Sequence, residues 1–181
     1  STGRGMWLWN NDDYGLSILT KGSVTIRNQY FLQAENNHGA IGIYIDNSNG
    51  PTSATVYLQR VNAVNHDNGY GIVVFAAGPV TADTITGNNN DGSGMDVTSF
   101  FGTITVRGSN YFNDNGNDGL SLQGDGNISI SGVEAKGNQW NGINASSGIG
   151  NITLTNVKAQ YNALNGVRLE SYGHFYLTNV S

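Results

Sequence analysis

One four-residue signature, glycine then apolar, any residue, apolar, recurs seven times along the 181 residues. It reads Gly15-Leu16-Ser17-Ile18, Gly42-Ile43-Tyr44-Ile45, Gly71-Ile72-Val73-Val74 and Gly94-Met95-Asp96-Val97. It continues as Gly119-Leu120-Ser121-Leu122, Gly142-Ile143-Asn144-Ala145 and Gly166-Val167-Arg168-Leu169. The glycines are 27, 29, 23, 25, 23 and 24 residues apart, a mean of about 25. A fixed period in this range marks a repeat architecture, in which each unit buries its apolar face only against its neighbours.

Each signature is followed by a second alternating run. These are Val24-Thr25-Ile26, Ala54-Thr55-Val56, Val80-Thr81-Ala82, Ile104-Thr105-Val106, Ile128-Ser129-Ile130, Ile152-Thr153-Leu154 and Phe175-Tyr176-Leu177. A third run appears as Val61-Asn62-Ala63, Val133-Glu134-Ala135 and Val157-Lys158-Ala159. Alternation of period two predicts strands with their apolar positions turned inward. No segment sustains a period of 3.6, and the leucine framework of a leucine-rich repeat is missing.

Three short strands per ~25 residues predict an all-β fold. It is a right-handed parallel β-helix of about seven coils, with three sheets running its length and one domain over residues 1–181 without a capping helix. Each coil would stack on the next at ~4.8 Å. Asparagine and glycine tolerate the left-handed backbone of sharp corners, which explains 26 of each. Asn11, Asn65, Asn90, Asn115, Asn138 and Asn162 stand four residues before a glycine and are read as structural corners whose amides ladder between coils. Asn36-Asn37-His38-Gly39 takes this place in the second coil. The pattern resembles the pectate-lyase-like superfamily of right-handed β-helices, from Met6 to Val180. That resemblance implies the fold and no single activity, because the fold serves enzymes, adhesins and fibres.

Composition excludes several roles. Only eight lysines and arginines are present, scattered, against 13 acidic residues, for a net charge of −5. Nucleic-acid binding needs a basic face that is absent here. No apolar run approaches the ~20 residues of a membrane-spanning helix. There is no cysteine, hence no disulfide or thiol chemistry.

No catalytic group, metal site or cofactor is expected. Polysaccharide hydrolysis requires two carboxylates facing one bond. The outward column of the first strand reads Ser17, Tyr44, Val73, Asp96, Ser121, Asn144, Arg168, and Asp96 has no carboxylate partner in it. A polygalacturonase-like motif set reduces to Tyr172-Gly173-His174-Phe175. Lyase chemistry with calcium needs clustered acids, and Arg168 lies three coils from Asp96, ~14 Å at strand spacing. Asn89-Asn90-Asp91-Gly92 and Asn113-Asp114-Asn115-Gly116 depart from calcium-loop spacing. His38 and His66 are read as surface corner residues, too few for a metal. The Thr25, Thr55, Thr81, Thr105, Ser129, Thr153, Tyr176 column is one residue wide, too narrow for an ice-binding face.

Two functions follow. The leading one is a non-catalytic extracellular or cell-surface solenoid, a self-stacking filament subunit or a segment of an adhesin-like fibre. Its partner would be a second copy or further chain, joined head to tail through Trp7, Trp9, Phe175 and Leu177. Trp7 and Ser181 both fall at the phase of Lys158, so a following coil would continue in register. The rival is a polysaccharide-binding or polysaccharide-modifying module. Its sugar site would use Tyr44, Asp96, Asn144, Arg168 and Trp140.

Overall fold

A computed structural model describes residues 5–39 and 41–181. Among these there is no helix, and sixteen strands numbered in chain order wind into seven coils. One sheet has seven parallel strands: β2 (Leu16–Leu19), β4 (Ile41–Asp46), β6 (Tyr70–Ala76), β8 (Met95–Ser99), β11 (Leu120–Gly124), β13 (Ile143–Ser147) and β15 (Val167–Ser171). They are the seven glycine signatures. Ile43, Ile72, Met95, Leu120, Ile143 and Val167 pair in register as one inward column, and all but Val167 at the last coil are fully buried.

The second sheet has nine strands, also parallel: β1 (Met6–Trp9), β3 (Val24–Glu35), β5 (Val56–Val64), β7 (Val80–Thr86), β9 (Ile104–Arg107), β10 (Asn110–Tyr111), β12 (Ile128–Lys136), β14 (Ile152–Gln160) and β16 (Phe175–Val180). This corrects the expectation of three sheets. The second and third runs of a coil share one ladder because a single left-handed residue bends the strand between them. That residue is Arg60, Thr84, Gly108, Gly132, Asn156 or Asn179 in successive coils, with φ between 53° and 84°.

Register corrects a second expectation. Val24 pairs with Val56 and Ile26 with Leu58, so the run of the second coil is Val56-Tyr57-Leu58 and not Ala54-Thr55-Val56. Tyr57 therefore replaces Thr55 in the threonine column. The first coil also holds three extra residues at the bend, because Arg27 pairs with Gln59 while Leu32 pairs with Val61. The phase relation of Trp7 to Lys158 holds through the chained pairs Trp7–Gln33–Asn62–Thr86–Tyr111–Glu134–Lys158.

The corner before the seven-stranded sheet is an amide ladder. In successive coils it runs Asn11, Asn37, His66, Asn90, Asn115, Asn138, Asn162. Each residue after the first offers a side-chain acceptor to the backbone N–H of the ladder residue one coil earlier, at 3.0–3.2 Å. Asn65 stands at the corner with a left-handed backbone, φ 59°, but the ladder position belongs to His66. His66 is thus not the surface residue expected, being 1% exposed. His38 aligns elsewhere, against Asp67 at 3.4 Å. Glycine is required beside the ladder: a Cβ on Gly119 would sit 2.7 Å from Asn138 Nδ2 and from the Phe112 and Gly142 carbonyls.

Candidate functional site

Alternation along β4, β6, β8, β11, β13 and β15 sends one side chain per coil outward, and register stacks them along the solenoid axis. Tyr44, Val73, Asp96, Ser121, Asn144 and Arg168 form that column in this order. Two residues on, a parallel column holds Asp46, Phe75, Thr98, Gln123, Ser146 and Glu170. The face is two side chains wide and repeats every ~4.8 Å.

Its N-terminal part is aromatic. Tyr14 packs on Tyr44 with ring centroids 5.6 Å apart, and Tyr44 meets Phe75 edge-on at 6.1 Å. Asp46 accepts from the Tyr44 hydroxyl at 3.4 Å and from Ser48 Oγ at 2.7 Å. The Ser48 hydroxyl is the main cause holding the Asp46 carboxyl below its ordinary range. Partial burial, then the Asp46 charge, pushes the Tyr44 hydroxyl above its own.

Its middle is a polar network that sequence reasoning missed. Asp118, 5% exposed, accepts from the Asn141 backbone N–H at 2.9 Å and from Asn141 Nδ2 at 2.8 Å. Asn144 Nδ2 donates to its other oxygen at 3.1 Å. Arg168 Nη1 donates to Asn144 Oδ1 and Nη2 to Glu170, both at 3.0 Å. Asn165 Nδ2 donates to Asn141 Oδ1 at 2.7 Å. The sequence signal was the acid or amide just before the strand glycine: Asp118-Gly119, Asn141-Gly142, Asn165-Gly166. Read as corner chemistry alone, it left Asp96 without a carboxylate neighbour.

Asp96 is the unusual acid of the face. Burial, chiefly, raises its carboxyl above the ordinary range, and the Asp118 charge adds to the rise. The Ser121 hydroxyl opposes it. The two carboxylates have unlike surroundings: Asp96 lies on the outward face near a hydroxyl, and Asp118 is buried and held by three N–H donors.

Where the column meets the next corner, Thr98, Gln123, Ser146, Asp125 and Phe100 line a recess of about 190 Å³. Trp140, one of the sugar-site residues expected from the sequence, stands outside the column in the turn before β13, 53% exposed. Among the described residues no group of three histidine, cysteine, aspartate or glutamate side chains is spaced to hold a metal. At the two ends, Trp7 and Trp9 point outward at 59% and 63% exposure, while Leu8 packs inward on the core. Phe175 and Leu177 are 45% and 56% exposed, although their register partners Ile152 and Leu154 are buried.

A family described as a right-handed β-helix region matches residues 4–159. The chain belongs to the right-handed β-helix family. That match covers most of the coils and agrees with the parallel register of every paired strand. No curated protein and no solved structure matches this β-helix. The two outward columns therefore stand on their own geometry.

Proposed function

We propose that this β-helix is a non-catalytic recognition solenoid that holds a polysaccharide along the outward face of its seven-stranded sheet. One observation carries the reading. Tyr44, Asp96, Asn144 and Arg168 stand in one column, with packed aromatic rings toward one end and a braced amide–carboxylate network toward the other. A polymer lying along the axis would meet the aromatic rings and then the polar groups. Aromatic faces take the apolar faces of sugar rings, and amides and carboxylates take hydroxyls. The same reading puts forward a cell-surface or extracellular setting, where such polymers are met.

The test is affinity electrophoresis through gels containing single soluble polysaccharides. Retardation is expected for at least one of them, and Tyr44→Ala or Asp96→Asn should weaken it by about tenfold, the size of one good contact. Reducing ends should not accumulate on prolonged incubation. Sugar release abolished by Asp96→Asn would replace this reading with an enzymatic one built on Asp96 and Asp118.

A second reading, end-on association, is favoured by the exposed inward side chains of the last coil, Phe175 and Leu177. An apolar cross-section with unpaired strand groups recruits another strand. A second copy or further polypeptide would cover it. Light scattering of concentrated protein should show mass growing with concentration, and Leu177→Pro, which deletes a ladder donor, should stop the growth. A strictly monomeric wild type would remove this reading.

A further inference from the structure

At the bend of the nine-stranded sheet the repeat places one left-handed residue in coil after coil, from Arg60 to Asn179. The first coil breaks this rule. Its three additional residues swell the bend into a bulge of β3, Asn28-Gln29-Tyr30-Phe31. Bulges in a sheet re-aim side chains and are common beside functional sites. This bulge is braced: Arg60 Nη1 donates to the Asn28 carbonyl at 3.1 Å and to the Gln29 carbonyl at 3.3 Å. Between the bulge and the outward side of β1 lies a recess of about 420 Å³, walled by Trp7, Gln29, Tyr30, Phe31, Gln33 and Arg60. It is on a different sheet from the Tyr44–Arg168 column.

We infer that this recess is a second, separate binding site, for a neutral hexose ring of a glycan, with Trp7 as the stacking platform. Trp7 is 59% exposed and Tyr30 45%, on strand and bulge positions that the core does not use. An exposed indole has a broad apolar face and few rotamers to lose on binding. The polar groups around it are amides and a phenol, which pair with hydroxyls as donors and acceptors. Gln33 is held in place by Asn62, whose Nδ2 donates to Gln33 Oε1 at 3.1 Å, leaving the Gln33 amide nitrogen to donate elsewhere. Among the described residues the wall carries one charge, Arg60, committed through Nη1 to the bulge, so its role is to fix the wall and to offer its remaining N–H groups to hydroxyl oxygens. Among the described residues no carboxylate lines the recess. These groups recognise an uncharged ring.

The experiment is calorimetric titration of the whole chain carrying Tyr44→Ala and Asp96→Asn, which disables the other face, with cellohexaose and separately with hexagalacturonate. Cellohexaose is expected to bind this background. Adding Trp7→Ala should lower the affinity at least tenfold, Trp7→Tyr should restore most of it, and Trp9→Ala should leave it unchanged. Equal unfolding midpoints among the variants show that the fold is intact. Absence of cellohexaose binding, binding indifferent to Trp7→Ala, or tighter binding of hexagalacturonate would each overturn the assignment. Because the background already lacks the first face, its outcome is separate from the test of that face.

Discussion

Asn115→Ala is expected to lower the unfolding free energy by about 4 kcal/mol, more than any outward substitution on the same coil. Asn115 is 1% exposed and sits at the middle of the ladder. Its Oδ1 accepts from the Asn90 backbone N–H and from Asn90 Nδ2, both at 3.1 Å. Its Nδ2 donates to the Gly87 carbonyl at 2.9 Å and to Asn138 Oδ1 at 3.0 Å. Alanine would strand two buried N–H groups of Asn90 and the buried Gly87 carbonyl, all on the preceding coil. Each such orphan costs about 1–3 kcal/mol, far above the net worth of a hydrogen bond exchanged with water. Ser121→Ala, on the outward column nearby, should stay within about 0.5 kcal/mol. The inward neighbour Leu120→Ala should cost about 2–5 kcal/mol by loss of packing. Urea titrations of the three variants check the order. If Asn115→Ala and Ser121→Ala shift the midpoint equally, the ladder is decoration and the coils are held by the apolar columns alone.

The coils were legible in the sequence because the information is local. Alternation of period two assigns each side chain to one face without any knowledge of its neighbours, so the inward column from Ile43 to Val167 could be read directly. The amide ladder was legible at Asn11, Asn90, Asn115, Asn138 and Asn162 because only asparagine both tolerates a corner and reaches two coils at once. It failed at the third corner, where His66 does the work of asparagine and Asn65 beside it has the expected letter. A ring nitrogen accepts the Asn37 N–H as an amide oxygen would, but a search for asparagine cannot see that equivalence. The slip at Ala54-Thr55-Val56 has a similar origin. Val56-Tyr57-Leu58 alternates equally well two residues later, and only pairing with Val24 and Ile26 chooses between them. Of the outward face, Tyr44, Asp96, Asn144 and Arg168 could be placed from the strand pattern. Asp118, Asn141 and Asn165 could not, because they lie in turns where alternation no longer says which way a side chain points.

His66 should make the β-helix acid-sensitive as pH falls below about 6.5. The imidazole replaces an amide in the ladder, and its Nδ1 accepts the Asn37 backbone N–H at 3.2 Å. A proton on Nδ1 would set two donors against each other. Nε2 is buried and makes no hydrogen bond, and a Cβ on Gly42 would collide with it. Burial is the largest influence and carries the imidazole down to about 4, with the Asp67 charge acting the other way. Asp67, His38 beside it and Asp91, whose N–H donates to the His66 carbonyl, are the titratable groups nearest this corner. The folded-state value lies below that of the unfolded chain, ~6.5, so the unfolded chain takes up the proton first. Stability is therefore full above about pH 6.5 and is lost as pH falls toward 4, by about 3 kcal/mol in all for a depression of this size. Asp46 is held below the usual carboxylate range, so its contribution is lost only at lower pH, whereas Asp96, raised by burial, acts in the opposite sense and gains stability as pH falls. Urea midpoints at pH 7.5, 6.0 and 5.0 should fall for the wild type. In His66→Asn they should stay level across the same range, because the replacement restores the amide of the other coils and removes the titrating group. Parallel losses in the two proteins would show that the acid response lies elsewhere and that His66 sits in the ladder without cost.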